Sequence, residues 1–572
     1  MSAVLLNHWL WGVKRLRPKV SISLLLIFVL AFPSFGAQFA RTLADGVTLV
    51  QDINSGPDAP VVVNLLRINP KTPGLRLCST LAKDRVVAED ATGGRETVSS
   101  MVARKGALAG INADYFGATG DPLGLAIIGG ELVSEPMDRA ALGITASGEI
   151  LLDKLSFDGT VTTSSGASAK LHGLNRARGK NELVLFTPIF GASTGTKDGI
   201  ELPLVLDGPI RACADMAATA TADPSGAVGS QVPKDGAVLC AHGTSADWLI
   251  ENVHKGDRLT IRLDIKAESG RSWEKVVEAV GGGPWLLRGG EVYIDRAEER
   301  LPVGFDTNRH PRTAAGVTAA GELLLVTVDG RQAISRGMTL PELAALMKSF
   351  GAVDAINLDG GGSSSLSIRG LVINSPSEGV ERAVADALLL YVPSVPQAGP
   401  PVKFAEPGPV VAASGEGRML ALIDETTGSP VSDQAGDAIL WGTTGGIGFV
   451  NQKGYFVPVK VGKGAVVALS GGCRIELPVT VVPGPPVKLT AKIVPDPTGA
   501  PNRGQVEVKL ADLNGNGIAG KIVTLTATGG VPDSTSATTD EKGAAAFGIT
   551  WDSTAAAAKV TVSAAGMTAE VR

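Results

Sequence analysis

The chain has 572 residues, 44% of them hydrophobic and only 4% aromatic, with a formal net charge of −5. This length and apolar content exclude a disordered chain and predict two to four domains, while dispersed basic residues leave no electrostatic footprint for nucleic acid. Abundant Gly, Ala, Val and Thr favour sheets and small-residue packing over helical bundles.

At the N-terminus, Lys14, Arg15, Arg17 and Lys19 precede an apolar run from Val20 to Phe32, and Ser34-Phe-Gly36 offers a small-x-small cleavage pattern. Residues 1–37 therefore read as an export signal, which puts the body of the protein outside the cytoplasm: secreted, periplasmic or at the cell surface. The run falls short of the roughly 20 residues a spanning helix needs, so removal is expected, with a single N-terminal anchor as the alternative. Four cysteines allow three pairings in an oxidising compartment, and Cys213 with Cys240, bracketing a polar insertion, is the expected disulfide. No Cys-x-x-Cys or His-x-x-x-His spacing suggests zinc.

Two stretches repeat. Gly106-Ala-Leu-Ala-Gly-Ile-Asn-Ala-Asp-Tyr-Phe-Gly117 aligns without a gap on Gly351-Ala-Val-Asp-Ala-Ile-Asn-Leu-Asp-Gly-Gly-Gly362, matching Asn112 and Asp114 to Asn357 and Asp359. Each copy follows a helix-like stretch opening near a threonine, Thr97 or Thr339, and Thr339-Leu-Pro-Glu342 has the spacing of a capping box. Gly143–Leu152 likewise echoes Gly316–Leu325, both reading as hairpins with a glycine turn. Arg139, Arg312 and Arg382 each precede an apolar strand, which predicts a module of loop, hairpin, arginine and strand used three times.

Within the second copy, strand Leu323 to Val328 ends at Asp329-Gly-Arg331, a helix follows Thr339, and Val353 to Leu358 forms a second strand ending at Asp359. Strand, helix, strand is a crossover pattern. It makes the two strands parallel and brings Asp329 and Asp359 to one sheet edge, where binding crevices form. Gly360, Gly361 and Gly362, then Ser363, Ser364 and Ser365, supply amides and hydroxyls to a turn free of bulky side chains, able to cradle an anion or a sugar hydroxyl. The bland alternative for such a run is a loose linker. A serine hydrolase is rejected, because these serines lack the Gly-x-Ser-x-Gly elbow.

Pro393–Pro401 and Val482–Val487 read as stiff linkers, and the stretch after each has the short-strand arithmetic of a small sandwich. The expected layout is residues 1–37 as signal or anchor, 41–393 as the first domain, then 401–484 and 486–572. The fold class expected is an α+β first domain with mixed sheets built from repeated loop–hairpin–strand modules, followed by two all-β sandwiches.

From about Gly46 to Tyr391 the chain resembles the phosphodiester glycosidase domain family, typified by N-acetylglucosamine-1-phosphodiester alpha-N-acetylglucosaminidase. The resemblance rests on Gly110-Ile-Asn112 with Tyr115-Phe116, Arg309-His-Pro-Arg-Thr313, Val328-Asp-Gly-Arg331, Gly337-Met-Thr-Leu340 and Asn357-Leu-Asp-Gly-Gly-Gly-Ser-Ser364. It departs at Ala113-Asp114, where many members look like two glycines. Residues 486–572, with Asp512-Leu-Asn-Gly-Asn-Gly517, resemble a bacterial Ig-like domain of the invasin sort, and 401–484 resembles another Ig-like module.

The resemblance implies hydrolysis of a sugar-1-phosphodiester, in which the phosphate leaves readily and charge stabilisation is the larger task. On that reading Arg312, Arg382 and Arg331 hold the phosphate, and the amides of Gly360 to Ser363 hold phosphate or sugar oxygens. Asp359 is base or nucleophile, Asp329 its partner, and His310 a proton donor. Each has a structural alternative: Asp329-Gly as a turn opener, Arg382 in an ion pair with Glu381, and His310 shaping a loop before proline. Asn112 and Asn357 border the substrate site and are expected to hold their loops. No cofactor is required, although Asp114 with Asp359 leaves a divalent metal conceivable. The partner expected is a carbohydrate phosphodiester of a cell-envelope or extracellular polysaccharide. The competing readings are a non-catalytic glycan-binding adhesin and an accessory role in exopolysaccharide production.

Overall fold

The computed structural model describes residues 37–54, 60–88, 90–394, 401–431, 439–470, 473–495, 502–552 and 559–571. The expected export signal and most of the first proline-rich linker lie outside them. Among the described residues no helix is long and apolar enough to cross a membrane.

Leu323–Val328 is buried at every position, as is most of Ala352–Leu358, and β-branched and leucine side chains of this kind favour interior strands. Between them runs the helix Leu340–Ser349. Its N-terminus carries the expected capping box, Thr339 with Glu342. Leu340, Leu343, Ala344 and Met347 bury one helical face against Ala314, Val326 and Ala355 of the sheet.

The sheet beneath that helix has eight strands, and its centre runs Val61–Ile68, Leu323–Val328, Arg312–Thr318, Ala352–Leu358, Trp285–Arg288. The crossover does join two strands of like direction. However, Arg312–Thr318 lies between them and pairs antiparallel with both, so the expected mixed sheet is antiparallel throughout. The interposed strand strengthens the edge. Arg312 is in register with Val328, and Thr313 with Leu358, so Asp329, Arg312 and Asp359 all arrive at the same end of the sheet.

A five-stranded sheet contains Ala109–Asn112 between Leu366–Ile368 and Asp386–Tyr391. A twelve-stranded antiparallel sheet, apart from one short parallel pairing, occupies most of residues 126–281. The fold is thus β-rich, with three α-helices among the described residues.

The sequence repeats are structural repeats. Helix Val98–Lys105 is capped by Thr97 as Leu340–Ser349 is by Thr339, and each leads to a strand ending in the Asn-x-Asp turn. In the hairpins, Gly143 pairs with Leu151 as Gly316 pairs with Leu324. Gly148 and Gly321 both take positive φ, and Thr145 and Thr318 make the same amide and hydroxyl bonds across the turn. The third arginine departs from this pattern, since Arg382 stands in a loop ahead of Asp386–Tyr391.

The expected Cys213–Cys240 disulfide is absent and all four cysteines are thiols. Cys240 lies on strand Gly236–Ala241, facing Glu201, while Cys213 bonds the backbone of Ile265 on strand Arg258–Ala267. Two strands separate these in the sheet order, which makes about 14 Å at the usual interstrand spacing, beyond the reach of a disulfide.

Residues 402–482 form small sheets of four, three and two strands, and residues 488–571 form two four-stranded sheets. In the last pair, alternating burial sets Val506, Val508, Leu510, Phe547 and Ile549 against Val523, Leu525, Val560 and Val562. The middle module is docked on the first domain. Leu440, Val467 and Leu469 join the core formed by Leu366, Leu371 and Ile373, and Gln452 donates its amide to Gln51 Oε1 at 3.0 Å. The Asp512–Gly517 loop then ties the last module to the middle one. Asn516 donates to Ser414 Oγ at 2.9 Å and to Val459 O at 2.8 Å, while Asp512 accepts the Gly484 amide at 3.0 Å.

Candidate active site

The glycine–serine run is a tight turn rather than a linker, with a 3-10 turn at Gly361–Ser363. Gly361 takes φ +63°, and its amide donates to Pro311 O at 2.8 Å. A Cβ at Gly360 would stand 2.9 Å from Pro311 O, and one at Gly362 would collide with the Arg382 guanidinium, so the close approach of these backbones requires glycine.

Two repeated loops interlock here. Asn112 Nδ2 donates to Asp359 O at 2.7 Å, and its Oδ1 accepts from Thr313 Oγ1 and the Ser365 amide, both at 3.0 Å. Thr313 also meets Ser364 Oγ at 3.1 Å. The Asp359 amide donates to Ala113 O at 2.9 Å. From the other side, Asn357 Nδ2 reaches Tyr115 Oη at 2.8 Å and Gly283 O at 3.0 Å. Both asparagines are loop-holders, as expected of side chains that bond backbone.

The acids divide into two environments. Burial pushes the Asp359 carboxyl up to about 6, restrained by the Ser363 hydroxyl, the Arg382 charge and the Gly360 amide. Asp114 is fully engaged, accepting amides of Tyr115 at 2.7 Å and Gly124 at 2.5 Å, and its own amide donates to Asp386 Oδ1 at 2.9 Å. Burial and the mutual proximity of Asp114 and Asp386 drive the Asp114 carboxyl well up, and burial with the nearby Asp359 charge raises Asp386. Both carboxyls therefore hold their protons more tightly than an ordinary carboxylate. A Cβ at Gly281 would stand 2.5 Å from Asp114 Oδ2.

Asp329 reaches the predicted edge, but its carboxylate is turned away from the open face of the loop. Oδ1 accepts from Asn374 Nδ2 at 3.1 Å and from the Ser375 amide at 3.0 Å, and burial pushes its carboxyl up to about 7. Asp329 Oδ2, Asp386 Oδ2 and Asn357 Oδ1 are buried with no hydrogen-bond partner among the described residues.

The arginines also separate. Arg312 is 2% exposed, donates to the carbonyls of Met338, Phe305 and Asn308 at 2.8–2.9 Å, and lies 5.3 Å above the Phe305 ring. Its fork is therefore committed to backbone rather than free for a bidentate phosphate. Arg331 sits at φ +60° with Nη2 3.2 Å from His310 Nδ1 and 3.1 Å from where a Gly361 Cβ would stand. Among the described residues neither Arg312 nor Arg331 has a carboxylate in ion-pair range. Burial lowers Arg312 to about 10, and burial with the two flanking arginines holds His310 below its usual range. Arg382, expected at the phosphate with an ion pair to Glu381 as the alternative, pairs with Glu378, and its Nη1 lies 3.4 Å from Ser363 Oγ. Glu381 accepts from Ser365 Oγ at 2.6 Å and from the Ser99 amide at 3.0 Å.

Several site residues were not singled out from sequence. Asp386 and the run Gly281-Gly282-Gly283 carried a readable signal, an acid opening an apolar strand and a second glycine triplet after one. Glu299, which accepts the amides of Ala140 at 2.9 Å and Trp285 at 2.8 Å, carried none. Tyr115 donates to Gly283 O at 2.6 Å beneath the Arg139 guanidinium. Among the described residues no group of three His, Cys, Asp or Glu side chains is placed to hold a metal ion.

Residues 212–391 match the sequence profile of the phosphodiester glycosidase family. An 85-residue stretch is 45% identical to the SPbeta prophage-derived protein YomE of Bacillus subtilis (strain 168), covering 15% of this chain and 13% of that protein. A 111-residue stretch is 37% identical to N-acetylglucosamine-1-phosphodiester alpha-N-acetylglucosaminidase of Bos taurus, covering 18% and 21%. The chain thus spans about a fifth or less of the length of these relatives. A hypothetical protein from Synechocystis superposes with TM-score 0.52 at 23% identity over 62% of this chain and 64% of its own, a likeness of fold. The profile match takes in Arg312, Asp329, Asp359 and Asp386, so the stretch that carries them is similar to phosphodiester glycosidase domains.

Proposed function

We propose that the first domain hydrolyses sugar-1-phosphodiesters, releasing the sugar and leaving the phosphate on the other product. The observation that carries this reading is the cationic floor beside Asp359. Arg312 is buried and, among the described residues, has no carboxylate in ion-pair range; with Arg331 and His310 beside it, its positive field favours an anionic ligand.

Asp359, ionised above about pH 6, is the group to attack the anomeric carbon or to activate water. The Gly360–Ser363 turn and Arg331 stabilise the departing phosphate, and Arg312 supplies a fixed positive field from below rather than a direct clamp. The Asp114–Asp386 pair stands behind, joined by the bond from the Asp114 amide to Asp386 Oδ1. The bovine relative is named for N-acetylglucosamine-1-phosphodiesters, and we take that substrate class as the first to test. With the expected export of residues 1–37, the natural substrate is an envelope or extracellular sugar-phosphate glycan.

The test incubates the full chain with UDP-N-acetylglucosamine and a synthetic methyl N-acetylglucosamine-1-phosphodiester, measuring free reducing sugar. The expected result is release of sugar with an equal amount of UDP from the nucleotide sugar and of methyl phosphate from the methyl phosphodiester. Binding of these ligands without release would favour the adhesin reading instead.

A further inference from the structure

Beside the Asp359 loop lies a groove of about 410 Å³ whose two walls come from different modules. One wall is Gln332 with residues 375–381 of the first domain. The other is Thr443, the glycines 445 and 446, Lys460 and Arg474 of the middle module. The walls are locked together by backbone contact. Gly446 takes φ +64°, and a Cβ there would stand 2.0 Å from Gly379 O.

The first wall is bonded directly to the candidate active site. The Ser375 amide donates to Asp329 Oδ1 at 3.0 Å, and Gln332 Nε2 donates to Ser375 O at 2.8 Å. Glu381 accepts from Ser365 Oγ at 2.6 Å, and Glu378 is paired with the arginine that reaches Ser363. The first wall of the groove is therefore bonded to the glycine–serine turn, although residues 359–365 do not themselves line it.

The groove's chemistry is mixed: hydroxyls, glycine backbone and charged groups line it together with the aliphatic Leu371, Val372, Pro376, Val380 and Val459, and there is no aromatic ring. Both of its acids are already engaged, Glu378 by Arg382 and Glu381 by serine donors. Among the described residues Lys460 has no carboxylate in ion-pair range, and Arg474 meets only Glu476 on the surface. Exposed cations set among hydroxyls and amides suit a hydrated, hydroxyl-rich polyanion.

We infer that this groove is an accessory site for the chain of a sugar-phosphate polymer, running from the Asp359 loop onto the middle module. The module thereby recognises substrate as well as extending the molecule. This rests on the phosphodiester reading of the active site and adds to it that the natural substrate is polymeric.

The test measures binding by calorimetry to the full chain carrying Asp359→Asn, so that ligand is not consumed. The probes are a polymer of N-acetylglucosamine 1-phosphate and the methyl N-acetylglucosamine-1-phosphodiester. The polymer is expected to bind at least about tenfold tighter than the monomer, with an advantage that shrinks as salt is raised. Lys460→Glu with Arg474→Glu is expected to abolish that advantage while monomer affinity stays within about twofold, and the milder Lys460→Ala to reduce it about threefold. Equal polymer affinity with and without the charge reversals overturns the groove, as does a polymer that binds no tighter than the monomer. Absence of sugar release by the unmutated chain, with polymer binding that still depends on Lys460 and Arg474, overturns the hydrolytic reading and leaves the groove supported.

Discussion

Asn112 donates its side-chain amide to the main-chain carbonyl of Asp359 at 2.7 Å, joining residues 247 positions apart. Since Asn357 is the repeat counterpart of Asn112 and reaches Tyr115 on the opposite loop, each copy of the module holds the other's turn. The glycine–serine turn is thus rigid because a second turn clasps it.

Removing that clasp leaves the Ser365 amide and the Asp359 carbonyl without their buried partner. Asn112→Ala is expected to cost about 2–4 kcal/mol, from several lost buried hydrogen bonds, and to lower kcat more than it changes KM. Denaturant unfolding and steady-state kinetics check both; an unchanged midpoint contradicts the clasp.

The pH dependence of activity follows from Asp359, which burial pushes up to about 6. The working form is the ionised one, so kcat/KM should rise about tenfold per pH unit below that value and level off above it. An acid limb near 4 would mean that another, unperturbed carboxylate does the chemistry.

Asp329 gives the opposite kind of prediction, about stability. Its folded-state value of about 7 lies above the ordinary 3.8, so the folded protein holds the proton more tightly than the unfolded chain. Its contribution is complete below about pH 4 and is lost as pH rises through 7. Asp329→Asn should therefore gain stability relative to the unmutated chain between pH 4 and 8, by up to about 4 kcal/mol. Because its carboxylate faces Asn374 and Ser375, this variant should keep sugar release within about tenfold. Urea unfolding at several pH values and the reducing-sugar assay check it; loss of turnover comparable to that of Asp359→Asn restores Asp329 to the chemistry.

Docking of the middle module depends on Gly446, where a side chain meets Gly379 O and a β-branched residue resists positive φ. Gly446→Val should cost about 2–4 kcal/mol and speed hydrogen exchange at Leu371 and Leu440, which share one core. Unchanged exchange there contradicts a rigid docking.

Much of this site was legible because its signals are local. The capping box at Thr339, the strand ending at Leu358 and the glycine triplet were all readable within a dozen residues, and the internal echo of Gly106–Gly117 foretold the paired loops. What failed was non-local. That Arg312–Thr318 inserts between the two parallel-running strands is a matter of sheet order, which no window of sequence contains. The same holds for Cys213 and Cys240, near in sequence but held apart by two intervening strands. The family resemblance implied a phosphate fork at Arg312, and its commitment to three carbonyls appears only once residues 305–308 and 338 fold over it. The proline-rich stretches read as stiff linkers between separate domains, whereas Leu440, Val467 and Leu469 complete the first domain's own core.

The most direct measurement is sugar release from the methyl N-acetylglucosamine-1-phosphodiester by the unmutated chain and by Asp359→Asn, with circular dichroism verifying that both are folded. The account predicts turnover by the first and a loss of at least about a thousandfold in the second. Undiminished turnover by folded Asp359→Asn would contradict it.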